Sequence, residues 1–288
     1  MRHLTAFTCF LTLLLGLLLP GVIRAGEGTS TTPLTVGIVP YMSTGSLLRV
    51  HESLARSLED SLQRPVNLRT APDYPSFFQR LRDGAYDIVI TPPHYGWLAI
   101  RDYAFQPLLV HKEPIRGVLV STAEHPVKSA ADLRGGSIAI TDRSALMAIL
   151  GVLTLAEEGL VENRDYHFVK AVSHSSAIHN AVTGKTRAAL VNATSLLLAP
   201  QEIRQRAHIW RELAVFPGQF YIAHPRLVQR ETKAVLAALL AFERTPAGQD
   251  FFTSTALGGF REITAEDRKL LERSLPETRR LLREAARQ

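Results

Sequence analysis

Short apolar runs alternate with amphipathic segments along most of the chain. The buried run LTVGIVP is followed by SLLRVHESLARSLEDSLQ, whose leucines at 47, 48, 54, 58 and 62 recur at helical spacing. Further strands are predicted at PVNLRT, YDIVI, FQPLLVHK and RGVLVST, with helices at YPSFFQRLRDG and HYGWLAIRD. Strands that alternate with helices of this length are typical of α/β proteins, in which helices cover both faces of a parallel sheet.

The pattern starts again after about residue 121. A short turn at SAADLRG precedes the strand SIAIT, and the strands DYHFVKA and RAALVN follow, separated by helices that glycines at 159 and 184 should end. AHIWREL and FYIAHP are predicted as strands, and the C-terminal segment is predicted as helices interrupted by Pro276.

This restart predicts two α/β lobes joined by a hinge, with a ligand cleft between them. Residues 26–120 and 216–288 would form the first lobe, and residues 121–215 the second. The chain would cross between the lobes near Val120–His125 and near Val215–Gly218.

The N-terminal segment MRHLTAFTCFLTLLLGLLLPGVIRAGEG has the order of a secretory signal. Basic residues precede an apolar run, and the small residue Ala25 closes the segment, which predicts a signal peptide over residues 1–25 and a periplasmic protein. An uncleaved membrane anchor is the alternative, because the apolar run is nearly long enough to span a bilayer. Cys9 is the only cysteine, so a mature chain without it would hold no disulfide.

Composition excludes several functions. The 288 residues carry a formal charge of +6, or +4 without Arg2 and Arg24, and no basic run is interleaved with aromatic residues, so nucleic acid is not an expected partner. Nucleotide-binding, hydrolase and zinc motifs are absent from the sequence. His174 and His179, five positions apart, do not share a helical face. We therefore expect no enzyme, no cofactor and no metal.

Polar side chains follow five of the expected strands, in the turns YMSTGS, TPPHY, TDRS, SHSS and NATS. Ligands of open parallel sheets bind at the carboxyl ends of the strands, where helix N-termini also attract anions. The same residues are favoured as helix N-caps, so a purely structural role stays open beside a role in binding. The candidate ligand-binding residues in these turns are Tyr41, Thr44, Thr91, His94, Tyr95, Thr141, Ser144, His174 and Asn192.

The segments LTVGIVPY, APDYPSFFQRLRDGAYDIVITPPHY, SAADLRGGSIAIT and VSHSSAIHNAVTGKTRAALVN together resemble the periplasmic substrate-binding proteins of phosphonate and phosphite ABC transporters. The resemblance runs from about Leu34 to about Phe260. It implies a two-lobed type II periplasmic binding fold, in agreement with the strand order.

The resemblance also implies site residues. The family's tyrosine in APDY contacts the phosphonate and corresponds to Tyr74, and the family's ligand histidine corresponds to His174. Ser144 corresponds to the first serine of the family's Asp-Pro-x-Ser-Thr-Ser-Gly turn. The next two hydroxyl positions are Ala145 and Leu146 in this chain.

Three other family positions have changed. A second tyrosine falls on Ile115, and the two acids of aminoalkyl-binding members fall on Thr194 and Gln219. A buried ammonium needs a carboxylate, but Asp142, the nearest acid in these turns, sits on the turn expected to face the anion. We therefore expect 2-aminoethylphosphonate not to be the preferred ligand. A compact oxyanion, or one with an apolar substituent, should bind better.

These observations leave two functional classes. The first is a solute-binding protein that captures a small oxyanion of the phosphonate, phosphite or phosphate kind for the permease of an ABC transporter. The second is a periplasmic ligand-sensing module whose partner is a membrane-bound signalling protein. An enzyme on the same scaffold is the third and least favoured interpretation. Either binding function predicts that the lobes close on the ligand.

Overall fold

A computed structural model describes residues 32–287 of the chain. The expected signal peptide, its cleavage site and Cys9 lie outside the described residues. Within them, no helix combines the length and the apolar character that crossing a membrane requires.

Six strands form the first sheet. They are β1 (Leu34–Ile38), β2 (Val66–Arg69), β3 (Ile88–Thr91), β4 (Gln106–His111), β10 (Phe220–Ala223) and β11 (Phe260–Arg261). Their order is β11-β4-β10-β3-β1-β2, and β1 pairs in parallel with both β2 and β3.

Five strands form the second sheet. They are β5 (Ile115–Thr122), β6 (Gly136–Ile140), β7 (Tyr166–Lys170), β8 (Ala188–Asn192) and β9 (Ala207–Phe216). Their order is β7-β6-β8-β5-β9, and β6 pairs in parallel with β7 and β8. Two sheets, each with its own strand–helix units, confirm the predicted two-lobed α/β fold.

Helices connect and cover the strands. They are α1 (Thr44–Leu62), α2 (Tyr74–Arg82), α3 (Pro93–Tyr103), α4 (Leu146–Glu157), α5 (His174–Val182), α6 (Ala193–Leu197), α7 (Gln201–Gln205), α8 (Gln229–Arg244), α9 (Pro246–Thr255), α10 (Ala265–Glu272) and α11 (Leu275–Ala285). A short 3₁₀ helix spans Ala130–Leu133. Gly184 follows α5 with φ of +73°, a conformation that ends the helix at the predicted place. Pro276 lies in the first turn of α11, so the predicted interruption falls between α10 and α11.

Both sheets are mixed rather than parallel, which corrects the expectation from the alternating pattern. In the first sheet β10 is antiparallel to β3 and β4, and in the second β5 is antiparallel to β8 and β9. The reason is the connectivity. β5 enters the second sheet directly from β4 of the first, and β10 enters the first sheet directly from β9 of the second, in both cases without a crossover helix. Parallel strands in one sheet need such a crossover.

The first change of sheet lies earlier than expected. β5 pairs with β8 and β9, so the chain leaves the first sheet within residues 112–114 instead of near Val120–His125. The lobe boundary expected after residue 120 therefore moves to these residues. The second change of sheet lies within residues 217–219. RGVLVST is an apolar run that could pair in either sheet, and its sequence does not specify the partner strand.

Candidate functional site

A cavity of about 160 Å³ is lined by residues from both sheets. Tyr41, Tyr74 and Pro92 enter it from the first sheet, where they follow the carboxyl ends of β1, β2 and β3. The position matches the rule that open α/β sheets bind ligands at their strand ends.

The second sheet and the two crossing segments supply the opposite walls. Leu146 and His174 follow β6 and β7, and Asn192 ends β8. Glu113 lies on the first crossing segment and Gln219 on the second. The cavity is therefore formed where the lobes and both connections between them meet.

Helix capping fixes two of these side chains. Tyr74 is the first residue of α2, and the preceding Asp73 accepts a hydrogen bond from the Ser76 backbone N–H at 2.8 Å. His174 is the first residue of α5, and the Ser173 hydroxyl accepts from the Ser176 backbone N–H at 3.1 Å. The caps satisfy one free N–H of each helix and hold its first residue at the cavity wall.

His174 is buried without a hydrogen-bond partner for its Nδ1 among the described residues. Burial lowers the pKa of His174 to about 4, so the imidazole is neutral at pH 7. Because His174 lines the cavity, its imidazole is available to hydrogen-bond a ligand there.

The two tyrosines at the wall are neutral donors. Burial raises the pKa of Tyr41 and of Tyr74 above the ordinary value, and the nearby Tyr74 and Asp142 add to the respective shifts. Asn192 caps α6 with its Oδ1, which accepts from the Thr194 backbone N–H at 3.1 Å. Its amide N–H₂ is therefore the group left to face a ligand.

Ser144 is used in a contact between the lobes. Tyr95 of α3 donates to the Ser144 hydroxyl at 2.8 Å, and this hydroxyl donates to Asp142 Oδ1 at 2.7 Å. His94 Nε2 donates to the Ser144 carbonyl oxygen at 3.1 Å. Lys170 lies 3.5 Å from the other Asp142 oxygen. These bonds hold the turn after β6 against the start of α3.

Four of the ten sequence-predicted site residues line the cavity, and six do not. Those at the wall are Tyr41, Tyr74, His174 and Asn192. The others are Thr44, Thr91, His94, Tyr95, Thr141 and Ser144. Thr44 is exposed at the start of α1, whereas the remaining five are buried behind the wall or in the contact between the lobes.

The positions named from the family resemblance lie at the wall more consistently. Ile115, Ala145, Leu146, Thr194 and Gln219 all line the cavity. Ile115, Ala145 and Leu146 make this part of the wall apolar.

Glu113 is the acid at the cavity wall, and the sequence analysis missed it. Asp142, the expected nearest acid, does not line the cavity and is engaged by Ser144 and Lys170. Glu113 is exposed at the first crossing segment. A correct position for that segment would have found it, because segments that join two lobes border the cleft between them.

No cluster of histidine, cysteine or carboxylate side chains suited to a metal ion occurs within residues 32–287. The geometry is instead that of a binding site, with donors from both lobes around a small apolar cavity. The fold and the site together define a two-lobed type II periplasmic binding protein.

Comparison with known proteins identifies the family. A family model for the periplasmic substrate-binding proteins of phosphonate ABC transporters matches residues 36–268. The chain belongs to this family, whose members bind substrates for transport. Membership places the protein in the periplasm with a membrane transporter as partner and a small anion as ligand.

Solved structures share the fold. A binding-protein component of an ABC phosphonate transporter from Pseudomonas aeruginosa is 12% identical, with a TM-score of 0.73 over 89% of this chain and 99% of that chain. PhnD1 from Prochlorococcus marinus, in complex with methylphosphonate, is 15% identical, with a TM-score of 0.75 over 87% and 98%. A histidine kinase sensor domain with similarity to periplasmic binding proteins is 16% identical, with a TM-score of 0.54 over 81% and 98%.

Proposed function

We propose that the cavity between the lobes captures a small oxyanion of the phosphonate class and that the closed complex delivers it to an ABC permease. The observation that carries this proposal is His174, a neutral imidazole that lines the cavity from the start of α5 and has no hydrogen-bond partner for its buried Nδ1 among the described residues. A neutral imidazole can donate one hydrogen bond to a ligand oxygen from the ring nitrogen that carries its proton. Tyr41, Tyr74 and Asn192 supply further donors from both lobes.

The size and apolar character of the cavity support a small ligand with an apolar substituent. A volume of about 160 Å³ admits a compact molecule, and Ile115, Leu146 and Met147 form an apolar part of the wall. Methylphosphonate is the simplest phosphonate with these properties, and it is bound by the fold relative from Prochlorococcus marinus.

The test is calorimetry on the chain from residue 26 onward with methylphosphonate, phosphite, phosphate and 2-aminoethylphosphonate. The variant His174→Ala should weaken methylphosphonate binding by about 1.5–3 kcal/mol, the range for a hydrogen bond to a charged group. His179→Ala is the matched control, because His179 is exposed on the same helix and does not line the cavity. Equal affinities for the wild type and the His174 variant would show that His174 has only a structural role.

The amino compound should be the weaker ligand. Thr194 and Gln219 carry no charge, and Glu113 is exposed, so its interaction with an ammonium is screened by water. A ten-fold preference for 2-aminoethylphosphonate, or about 1.4 kcal/mol, would contradict this order and point to Glu113 as the partner of the ammonium.

A periplasmic sensing module is the second candidate function, supported by the fold shared with a histidine kinase sensor domain. The two functions differ in the partner and not in the cavity. Reconstitution with the permease and ATPase of a phosphonate ABC transporter separates them: a transport component stimulates ATP hydrolysis when loaded with ligand, and a sensing module does not.

A further inference from the structure

A groove on the surface of the first lobe lies between α2, α3 and α11, apart from the ligand cavity. Its volume is about 680 Å³, and pockets that take drug-sized ligands span about 300–1,000 Å³. Phe78 and Leu98 are buried at its floor, and Tyr103 and Leu282 are partly buried beside them. The groove therefore has room for several side chains of another molecule over an apolar floor.

Arginines border this floor on both sides. Arg80 and Arg82 belong to α2, and Arg279 and Arg283 belong to α11. Asp102 is the one acid among the described residues that line the groove, so the four arginines leave it a net charge of +3. Arg279 donates to both oxygens of Asp102, at 2.8 Å and 2.7 Å. The other three arginines then remain for the charges of another molecule.

These three arginines are exposed and weakly paired. Arg80 donates to the Thr70 carbonyl oxygen at 2.7 Å, and Arg82 lies 3.7 Å from the exposed carboxylate of Asp83. Arg283 makes no hydrogen bond or ion pair within residues 32–287. Exposed guanidinium groups without close carboxylates can form bidentate hydrogen bonds with the carboxylates of another molecule.

Two helices connect the groove to the ligand cavity. Tyr74, the first residue of α2, lines the cavity, and the next residue, Pro75, lines the groove. Pro92, which precedes α3, lines the cavity, and Leu98 of the same helix lines the groove. The third helix, α11, follows residues 36–268 that the family model matches, so one side of the groove lies outside that match. A molecule bound in the groove would contact the helices that begin at the ligand.

We propose that this groove docks an acidic segment of a partner protein, with carboxylates on the arginines and an apolar side chain on the floor. The charge of the groove and its apolar floor together define this chemistry. The inference concerns a second site and does not depend on the anion bound in the cavity.

Two other occupants fit the groove less well. In a symmetric dimer the same surface of both copies meets, so two arginine-bordered grooves would face each other and repel. A bilayer surface is bound by apolar side chains that protrude into it. The large apolar side chains exposed within residues 32–287 include none from α2, α3 or α11.

The test uses a fluorescein-labelled synthetic peptide with the repeat Glu-Glu-Leu-Leu and a control peptide in which every Glu is replaced by Gln. Fluorescence anisotropy with the chain from residue 26 onward should show the acidic peptide binding about ten-fold more tightly than the neutral one, because charge complementarity distinguishes them. Binding of the acidic peptide should weaken as the ionic strength rises from about 0.05 M to about 0.5 M, since salt screens exposed charges.

Charge reversals locate the bound peptide. Arg80→Glu combined with Arg283→Glu should weaken binding of the acidic peptide about ten-fold, because each reversal replaces an attraction with a repulsion of similar size. Lys233→Glu combined with Arg244→Glu is the matched control: both residues are exposed on α8, which does not line the groove, and the net charge changes equally. Thermal unfolding checks that each variant folds. Arg283→Glu alone breaks no contact within the described residues and should weaken binding about three-fold.

Equal binding of the two peptides, or equal binding of the acidic peptide to the wild type and the groove variants, would overturn the proposal. Co-sedimentation with phosphatidylglycerol vesicles that only the groove variants lose would overturn it in favour of an anionic lipid. A dimer that only the groove variants lose would overturn it in favour of a second copy. The affinity for methylphosphonate should be the same in all variants, so failure of the groove and failure of the anion site are read separately.

Discussion

Four histidines within residues 32–287 are buried and should make the protein sensitive to acid. Burial lowers the pKa to about 4 for His51, His94 and His174 and to about 3 for His111. The same residues in the unfolded chain titrate near 6.5. The unfolded chain therefore binds more protons than the folded protein, and stability that is fully present above the unfolded pKa is lost as pH falls toward the folded values.

The magnitude follows from the size of the shifts. One pKa unit corresponds to about 1.36 kcal/mol, so each histidine should lower the free energy of unfolding by about 2 kcal/mol at pH 5 relative to neutral pH. Four such groups remove on the order of 7 kcal/mol. Domains are typically stable by about 5–15 kcal/mol, so much of the stability should be gone at pH 5. Carboxylates do not add to this loss, because they titrate at lower pH.

The assay is urea unfolding monitored by the fluorescence of Trp97 and Trp210 at several pH values between about 5 and 7.5. A fall in the free energy of unfolding of several kcal/mol is expected from the linkage relation, and a fall below about 1 kcal/mol would refute the argument.

A variant assigns the effect to one histidine. The Nδ1 of His51 bonds to the Leu47 carbonyl oxygen at 2.9 Å within α1, and its Nε2 has no partner among the described residues. His51→Leu should reduce the loss of stability between pH 7.5 and pH 5 by about 2 kcal/mol, the share of one group. His125→Gln is the control, because His125 is exposed and should leave the pH dependence unchanged.

Three other predictions concern the contact between the lobes, the packing and export. Tyr95→Phe removes the donor to Ser144, so it should lower the free energy of unfolding in urea by about 1 kcal/mol. It should also raise the radius of gyration of the ligand-free protein in solution scattering, and an unchanged radius would count against a contact that holds the lobes together. Gly151→Ala places a methyl group against Leu190 and should destabilise the fold by about 1–3 kcal/mol, measured by thermal unfolding. Mass spectrometry of the native protein should show a mature chain that begins near Gly26, whereas an intact Met1 in a membrane fraction would indicate an anchor.

The alternation of apolar runs and amphipathic segments was sufficient to predict the fold class. It also located most strands and the glycine that ends α5, because strand and helix periodicities are local properties of the chain. The pairing of β5 could not be predicted in this way. An apolar strand is compatible with either sheet, and its choice depends on contacts with β8 and β9 that are distant in sequence.

The candidate site could be predicted only in part, for a similar reason. Polar residues follow the strands at many turns, but the sequence does not show which of them point into the cavity. Thr91 is fully buried behind the wall, and Ser144 bonds to Tyr95 of the other lobe. Each looks like a ligand-binding residue until the arrangement of the lobes is known.

Positions named by the family resemblance were better guides than residue types, and the reason lies in the backbone. Ile115, Thr194 and Gln219 stand at the cavity wall, at positions where the family resemblance implies a tyrosine and two acids. The fold fixes which positions border the cavity, whereas the present side chains fix what the cavity accepts. Here those three are uncharged, and Glu113, the carboxylate at the wall, is negative. The loss of two acids therefore does not leave a basic site: no lysine or arginine lines the cavity among residues 32–287, and neutral donors and apolar side chains make up most of its wall.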